Sequence, residues 1–318
     1  MRRRLSLLAL FGAVTLCAVA PAASEPSPCF NARSAPDVAI SACSELIARG
    51  NLPDGDRAKL YVWRSIHFTQ KGQQGRATAD YDRAIADSDE AIRLDPNSAK
   101  AYLARAWPYF QKNQLDHALA DYDQAIRLDP NNANAHRGRG VVRLRMGQLD
   151  TALADVTEAI RLDPTLARAH WARASVYLEK AQFDQAIADC DEAIRLDPSN
   201  AFPYNDRGVA HFKKNELDQA LEDFTQAIRL DPKQAPFHTN RGRVHELKGQ
   251  FDQALAEHDA AIGLDPKLAV AYANRGLSYE GKGEPSRALV EFQAALDIDP
   301  NLGRAKEGSD RVRASTAR

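Results

Sequence analysis

Ala125-Ile126-Arg127-Leu128-Asp129-Pro130 comes back as Ala227-Ile228-Arg229-Leu230-Asp231-Pro232, and the Leu-Asp-Pro triplet at its end recurs along the chain. It stands at 94–96, 128–130, 162–164, 196–198, 230–232 and 264–266, and Ile298-Asp299-Pro300 completes the series. The seven prolines are each 34 residues apart without a slip. A fixed period in this range means stacked copies of one supersecondary unit, none of which buries its apolar face alone. Length by itself would suggest two ordinary domains, but it gives way to the period.

Working outward from each triplet, the boundaries follow. The residue before a proline is pushed out of the helical region, so one helix ends at each Asp-Pro pair. Upstream, a preceding helix ends near Asn113, Gly147, Asn215, Gly249 or Gly283, residues that tolerate the left-handed conformation of a helix stop. Ala181 holds that place in one unit and should cost stability there. With proline set at position 32, the second unit runs from Ala99 to Asn132. Tyr102, Ala106 and Tyr109 then take positions 4, 8 and 11, and Ala118, Tyr122 and Ala125 take positions 20, 24 and 27. Later units have Gly140, Ala174, Gly208, Gly242 and Gly276 at position 8, and Ala152, Ala186, Ala220, Ala254 and Ala288 at position 20. Small residues there let two antiparallel helices approach closely.

This pattern resembles the tetratricopeptide repeat (TPR) family from about Ala58 to Leu302. The resemblance implies an all-α, right-handed superhelical solenoid of about seven helix–turn–helix units, whose first helices line a concave wall. The units are 58–98, 99–132, 133–166, 167–200, 201–234, 235–268 and 269–302. In the first, Tyr61, Ser65, Phe68, Ala77, Tyr81 and Ala84 fit positions 4, 8, 11, 20, 24 and 27, yet Pro96 arrives seven residues late. Seven residues are two helical turns, which predicts one lengthened second helix from Ala77 to Leu94. Solenoid ends need covering. Within 23–57, Pro36 to Arg49 reads as a lone helix capping the first layer; within 303–318, Gly303 to Arg313 reads as a polar closing helix.

The first 22 residues have another character. Arg2, Arg3 and Arg4 precede an apolar run from Leu5 to Ala20, and Ala20-Pro21-Ala22 offers a cleavage site, the layout of a secretory signal peptide. The run is too short for an ordinary spanning helix. Cleavage at 22 predicts a periplasmic or secreted protein; the competing reading anchors the chain in the membrane through Cys17 or the retained segment. Losing three arginines would leave 39 basic against 43 acidic residues, a mildly acidic balance without the footprint of a nucleic-acid binder. In an oxidising compartment Cys29 and Cys43 could pair and staple the N-terminus, while Cys190, at position 24, reads as a small buried hydrophobe.

No catalytic motif stands out: there is no Gly-rich phosphate loop, His-Glu-x-x-His, Cys-x-x-Cys or Gly-x-Ser-x-Gly. Six of the eight histidines (His136, His170, His211, His238, His245 and His258) fall at packing positions, and even His238, His245 and His258 within one unit are too spread for joint metal ligation. Neither a metal nor a cofactor is expected, and the chain reads as non-enzymatic. Arginine recurs at position 7 (Arg64, Arg105, Arg139, Arg173, Arg207, Arg241, Arg275) and acid at position 23 (Asp121, Asp155, Asp189, Asp223), which predicts a ladder of ion pairs between the two helices of each unit.

By the resemblance, positions 2, 5, 9, 12 and 13 face the groove, and they are the least uniform of the repeat. Unit two offers Lys100, Leu103, Trp107 and Phe110; unit three, Arg137 and Arg145; unit four, Arg168 and Trp171; unit five, Asn205 and Phe212. Asn240 and Asn274 stand at position 6, where some family members grip a peptide main chain or a terminal carboxylate. Aromatics and arginine dominate interface energies. The expectation is an interaction scaffold of the cell envelope whose basic, aromatic groove takes a protein or peptide segment with acidic and apolar side chains. The alternative is a carbohydrate or cell-wall polymer stacked on Trp107 and Trp171.

Overall fold

The computed structural model describes residues 27–75 and 78–316, and all regular structure within them is helical. The expected signal segment, 1–22, lies outside the described residues. After one 3-10 turn at Pro28–Phe30 come α1 (Pro36–Ala48), α2 (Asp54–Gly75) and α3 (Thr78–Leu94). Six near-identical hairpins follow. They are α4 (Ala99–Gln111) with α5 (Leu115–Leu128), α6 (Ala133–Arg145) with α7 (Leu149–Leu162), and α8 (Ala167–Glu179) with α9 (Phe183–Leu196). Then come α10 (Ala201–Lys213) with α11 (Leu217–Leu230), α12 (Ala235–Leu247) with α13 (Phe251–Leu264), and α14 (Ala269–Gly281) with α15 (Pro285–Ile298). The stack is closed by α16 (Gly303–Thr316). No helix among the described residues is long and apolar enough to cross a membrane.

The expected stops hold in detail. Asn113, Gly147, Asn215, Gly249 and Gly283 all adopt positive φ after a first helix, and Ala181 does so at φ 55°, the one alanine forced into a conformation that crowds its Cβ. Close helix approach inside each hairpin follows from position 8. A Cβ on Gly208 would lie 2.9 Å from the Phe224 ring, and one on Gly276 2.7 Å from Phe292. First helices of successive hairpins touch one another, whereas second helices meet only first helices, so α4, α6, α8, α10, α12 and α14 form one continuous inner wall.

The ion-pair ladder is present in every unit. Arg105 meets Asp121 at 2.7 Å, Arg139 meets Asp155 at 2.6 Å, Arg173 meets Asp189 at 2.7 Å and Arg207 meets Asp223 at 2.6 Å. Glu257 and Glu291 replace aspartate opposite Arg241 and Arg275, at 2.5 and 2.7 Å. Four of these arginines also reach back one unit, Arg105 to Asp89, Arg139 to Asp123, Arg207 to Asp191 and Arg275 to Asp259. One side chain thus ties two helices of its own layer to the layer before.

The first unit corrects one expectation. Its second helix does run to Leu94, but Arg64 pairs with Asp87 rather than Asp80, and Ser65 at position 8 bonds Ser88 Oγ at 2.7 Å and the Ala84 carbonyl at 2.8 Å. Positions 20, 24 and 27 are therefore Ala84, Ser88 and Ala91, not Ala77, Tyr81 and Ala84. Both helices are lengthened, α2 to 22 residues and α3 to 17 against 13 and 14 in the hairpin of unit two; four of the added residues of α2 precede Ala58, and the insertion itself sits at the hairpin tip. There Tyr81 packs on Gly72, whose Cβ would lie 2.9 Å from its ring. Ahead of this unit, Cys29 and Cys43 form a buried disulfide that fixes the 3-10 turn to α1.

Between units, position 24 meets position 6 of the next first helix, and at two seams a glycine there makes room for a large ring. Tyr122 faces Gly138 and Phe292 faces Gly308; a Cβ would come within 2.2 and 2.4 Å of those rings. Where position 24 is the smaller Cys190, position 6 of the next unit carries Asp206 instead.

Candidate concave binding site

Two hollows open along the inner wall. The front one, about 600 Å³, lies across α4, α6, α8 and α10 and is lined by Leu103, Trp107, Arg137, Arg168, Trp171 and Phe202. These residues come from four successive units, so only the stacking brings them together. Trp107 stacks on Phe110 with ring centroids 5.0 Å apart, and Trp171 stacks on Phe202 at 5.3 Å. Neither tryptophan is tucked inside a layer; both are part-buried at the wall.

Their polar edges differ. Trp171 Nε1 donates to Asp206 Oδ2 at 2.7 Å, whereas Trp107 Nε1 is buried with no acceptor among the described residues. Asp206 also accepts from Ser175 Oγ and Asn205 Nδ2. Burial raises its pKa, and these three donors oppose the rise. Arg137 is the counterpart. Its Nε is buried without an acceptor, no carboxylate pairs with it among the described residues, and burial followed by the neighbouring Arg168 lowers its pKa, with Tyr122 working the other way. A guanidinium held this way carries an unmet demand for an anion.

Of the residues singled out from sequence, Leu103, Trp107, Arg137, Arg168 and Trp171 converge on the front hollow. Phe212, Asn240 and Asn274 belong to a second, rear hollow. Asn205 sits between the two, accepting from Asn240 Nδ2 at 2.9 Å and donating to Asp206 at 3.1 Å. Lys100 and Arg145 are exposed and line neither hollow, so the expected basic stretch contracts to Arg137 and Arg168. The histidine trio is dispersed: His238 bonds Glu257, His245 bonds Gln250, and His258 is buried without a partner. No group of three candidate metal ligands converges among the described residues.

Comparison with known proteins agrees with this architecture. Family models described as TPR repeat match residues 109–147, and models described as tetratricopeptide repeat match 137–201, 201–234, 224–256 and 248–302. Together they run without a break over more than half of the chain. The chain is a tetratricopeptide repeat protein. No curated protein matches its sequence. Among solved structures, the APC/C hetero-tetramer Cut9–Hcn1 superposes with a TM-score of 0.67 at 18% identity over 89% of this chain, which spans 60% of that longer one. A tetratricopeptide repeat protein from Parabacteroides merdae gives 0.60 at 18% identity, covering 81% of this chain and 100% of that one. PilF from Pseudomonas aeruginosa gives 0.58 at 18% identity, covering 67% and 97%. Identities this low establish the shared fold and leave the ligand to the TPR wall itself.

Phe202, at groove position 2 of unit five, stacks on Trp171 as its place in the repeat allows, whereas Asp206 did not stand out from sequence. A signal existed for Asp206: it is the acid at position 6 where Asn240 and Asn274 follow in the next two units.

Proposed function

We propose that this protein is a non-catalytic interaction scaffold whose front hollow holds a segment of a partner protein with an acidic side chain next to an apolar one. The carboxylate would meet Arg137, with Arg168 at the rim, and the apolar side chain would lie between Trp107 and the Trp171–Phe202 stack. The observation that carries this reading is the part-buried Arg137, which lacks an acid in a repeat where every position-7 arginine has one. A neutral polymer stacked on the tryptophans would leave that charge uncompensated, which favours the peptide. Export to the cell envelope is part of the proposal. It rests on the leader-like segment at 1–22 and on the Cys29–Cys43 disulfide, a bond that persists in oxidising compartments.

The test is a Trp107→Ala, Arg137→Ala double variant against a fluorescent peptide containing Glu next to Phe, its Gln counterpart, and an insoluble cell-wall glycan. The acidic peptide should bind, the Gln peptide at least about tenfold more weakly, and the double variant should lose binding with helicity unchanged. Equal binding of both peptides, or retention by the double variant, would overturn the reading; co-sedimentation with glycan alone would replace it with the polymer alternative.

A further inference from the structure

Asp206 lines neither hollow, yet three side chains of the inner wall converge on it. It holds position 6 of α10, at the seam between units four and five, where the seams before it have Ala104, Gly138 and Ala172. Both carboxylate oxygens are engaged. Oδ2 accepts from Trp171 Nε1 at 2.7 Å and from Ser175 Oγ at 3.2 Å, and Oδ1 accepts from Asn205 Nδ2 at 3.1 Å. Asn205 is steadied in turn by Asn240 Nδ2 at 2.9 Å. No cation pairs with Asp206 among the described residues, and the adjacent Arg207 is engaged by Asp191 and Asp223. A carboxylate held by neutral donors alone is a costly way to close a seam that alanine or glycine closes elsewhere. The two tryptophans of the front hollow show what it does. Trp107 stacks on Phe110 of its own helix, and its Nε1 has no acceptor among the described residues. Trp171 is tied to the next unit twice: its ring stacks on Phe202 at 5.3 Å, and its Nε1 is held by Asp206. Phe202 in turn meets Phe237 edge-on at 5.5 Å. The second torsion of an aromatic side chain is broad, so stacking alone leaves the ring room to swing. A short N–H···O bond to a carboxylate, with its narrow angular preference, removes that freedom.

We propose that Asp206 is a positioning residue that gives the front hollow a preference for an aromatic side chain of the partner. It fixes the Trp171 indole across the seam, so that Trp171 and Phe202 stand as one preformed wall on which a flat ring stacks without first ordering either of them. Asp206 touches no ligand itself and acts through Trp171. The proposal rests on the front-hollow reading, but it concerns the apolar end of that slot and not the Arg137 end, and the two ends can be tested apart.

Hydrogen exchange of the indole N–H groups in the free full chain, followed by NMR with Trp171→Phe identifying the signal, tests the first step. The Trp171 signal should be protected in the parent, lose about tenfold or more of that protection in Asp206→Ala, and keep most of it in Asp206→Asn, whose amide oxygen still accepts the bond. Alanine already closes the preceding seam at Ala172, so helicity should hold; Asp206→Gly, as at Gly138, replaces it if helicity falls. Peptide titration tests the second step. The parent should bind the Glu-Phe peptide about tenfold or more tightly than a Glu-Ala peptide. Asp206→Ala should cut that ratio to about threefold while leaving the Glu-over-Gln ratio within about twofold of the parent, and Asp206→Asn should restore it. General loosening of the solenoid would lower both ratios together. An indole signal that is unprotected in the parent or indifferent to Asp206→Ala, or a Phe-over-Ala ratio that Asp206→Ala leaves intact, would overturn the proposal. A parent that binds no peptide while the indole signal follows Asp206 as stated overturns the front-hollow reading and leaves the hold on Trp171 standing.

Discussion

Arg139 and Arg137 stand two residues apart on α6 and lead opposite lives. Arg139 gives Nε and Nη2 to Asp155 at 2.9 and 2.6 Å and Nη1 to Asp123 at 2.8 Å, while Arg137 faces Tyr122 and Arg168 with no carboxylate paired to it among the described residues. The first belongs to a seam repeated in every layer, where each cation is matched by a buried or half-buried carboxylate. The second belongs to the inner wall, where cations are left open. Matching that recurs with the period holds the solenoid together; a charge whose matching is missing marks where something else is meant to bind.

The largest expected effect breaks that contrast directly. Asp155 also takes Arg143, so the cleaner rung is Arg105 with Asp121. Arg105→Met strands a carboxylate that is 4% exposed and should cost about 3 kcal/mol in chemical denaturation followed by helicity. Arg137→Met strands nothing and removes an uncompensated charge, so it should leave stability unchanged or slightly raised while weakening partner capture. Comparable losses from the two substitutions would erase the distinction between seam and wall.

How much of this could be read beforehand follows from the same contrast. The ladder was legible because position 7 and position 23 repeat, and the helix stops because Asn, Gly and the lone Ala181 occupy one place in each unit. The register of α3 was not legible, because Tyr81 and Ala84 fit the repeat as well as Ser88 and Ala91 do until Arg64 is seen on Asp87 and Ser65 on Ser88. The wall was half legible. Trp107, Arg137 and Trp171 stood out by position, but their convergence depends on how one unit stacks on the next, which no single position of the repeat states.

His258 sharpens the comparison from inside a layer, as a polar group unmatched in the seam. Both ring nitrogens are buried without partners, in the place that Phe224 and Phe292 fill against Gly208 and Gly276. Burial first, then Arg243, lower its pKa to about 3. In the unfolded chain the ring takes a proton near its ordinary value of about 6.5, so the unfolded state binds more protons as pH falls below that value, and stability declines until about pH 3. His258→Phe should stabilise by about 1–2 kcal/mol at pH 7 by removing two unsatisfied nitrogens. Its advantage should widen by roughly 2 kcal/mol at pH 5, because only the parent still loses stability there. A pH-independent difference would show that the ring is solvated or paired.

The smallest effect tests whether the seam can be completed where it is broken. Arg105, Arg139, Arg207 and Arg275 each reach back sixteen residues to an aspartate of the preceding unit, but the residue sixteen before Arg173 is Thr157, exposed and unbonded to it, so Arg173 holds only Asp189. Thr157→Asp supplies the missing acid at a site where the equivalent side chains are about half exposed, 46% at Asp123 and 54% at Asp191. Solvent screening holds such a pair to about 0.5 kcal/mol, and the gain should fade as salt is raised to about 1 M. Thr157→Asn, which keeps the shape without the charge, should give none of it. A salt-independent gain shared by both variants would mean that the backward contact acts through helix propensity or packing, and that only the inward rung to position 23 is electrostatic.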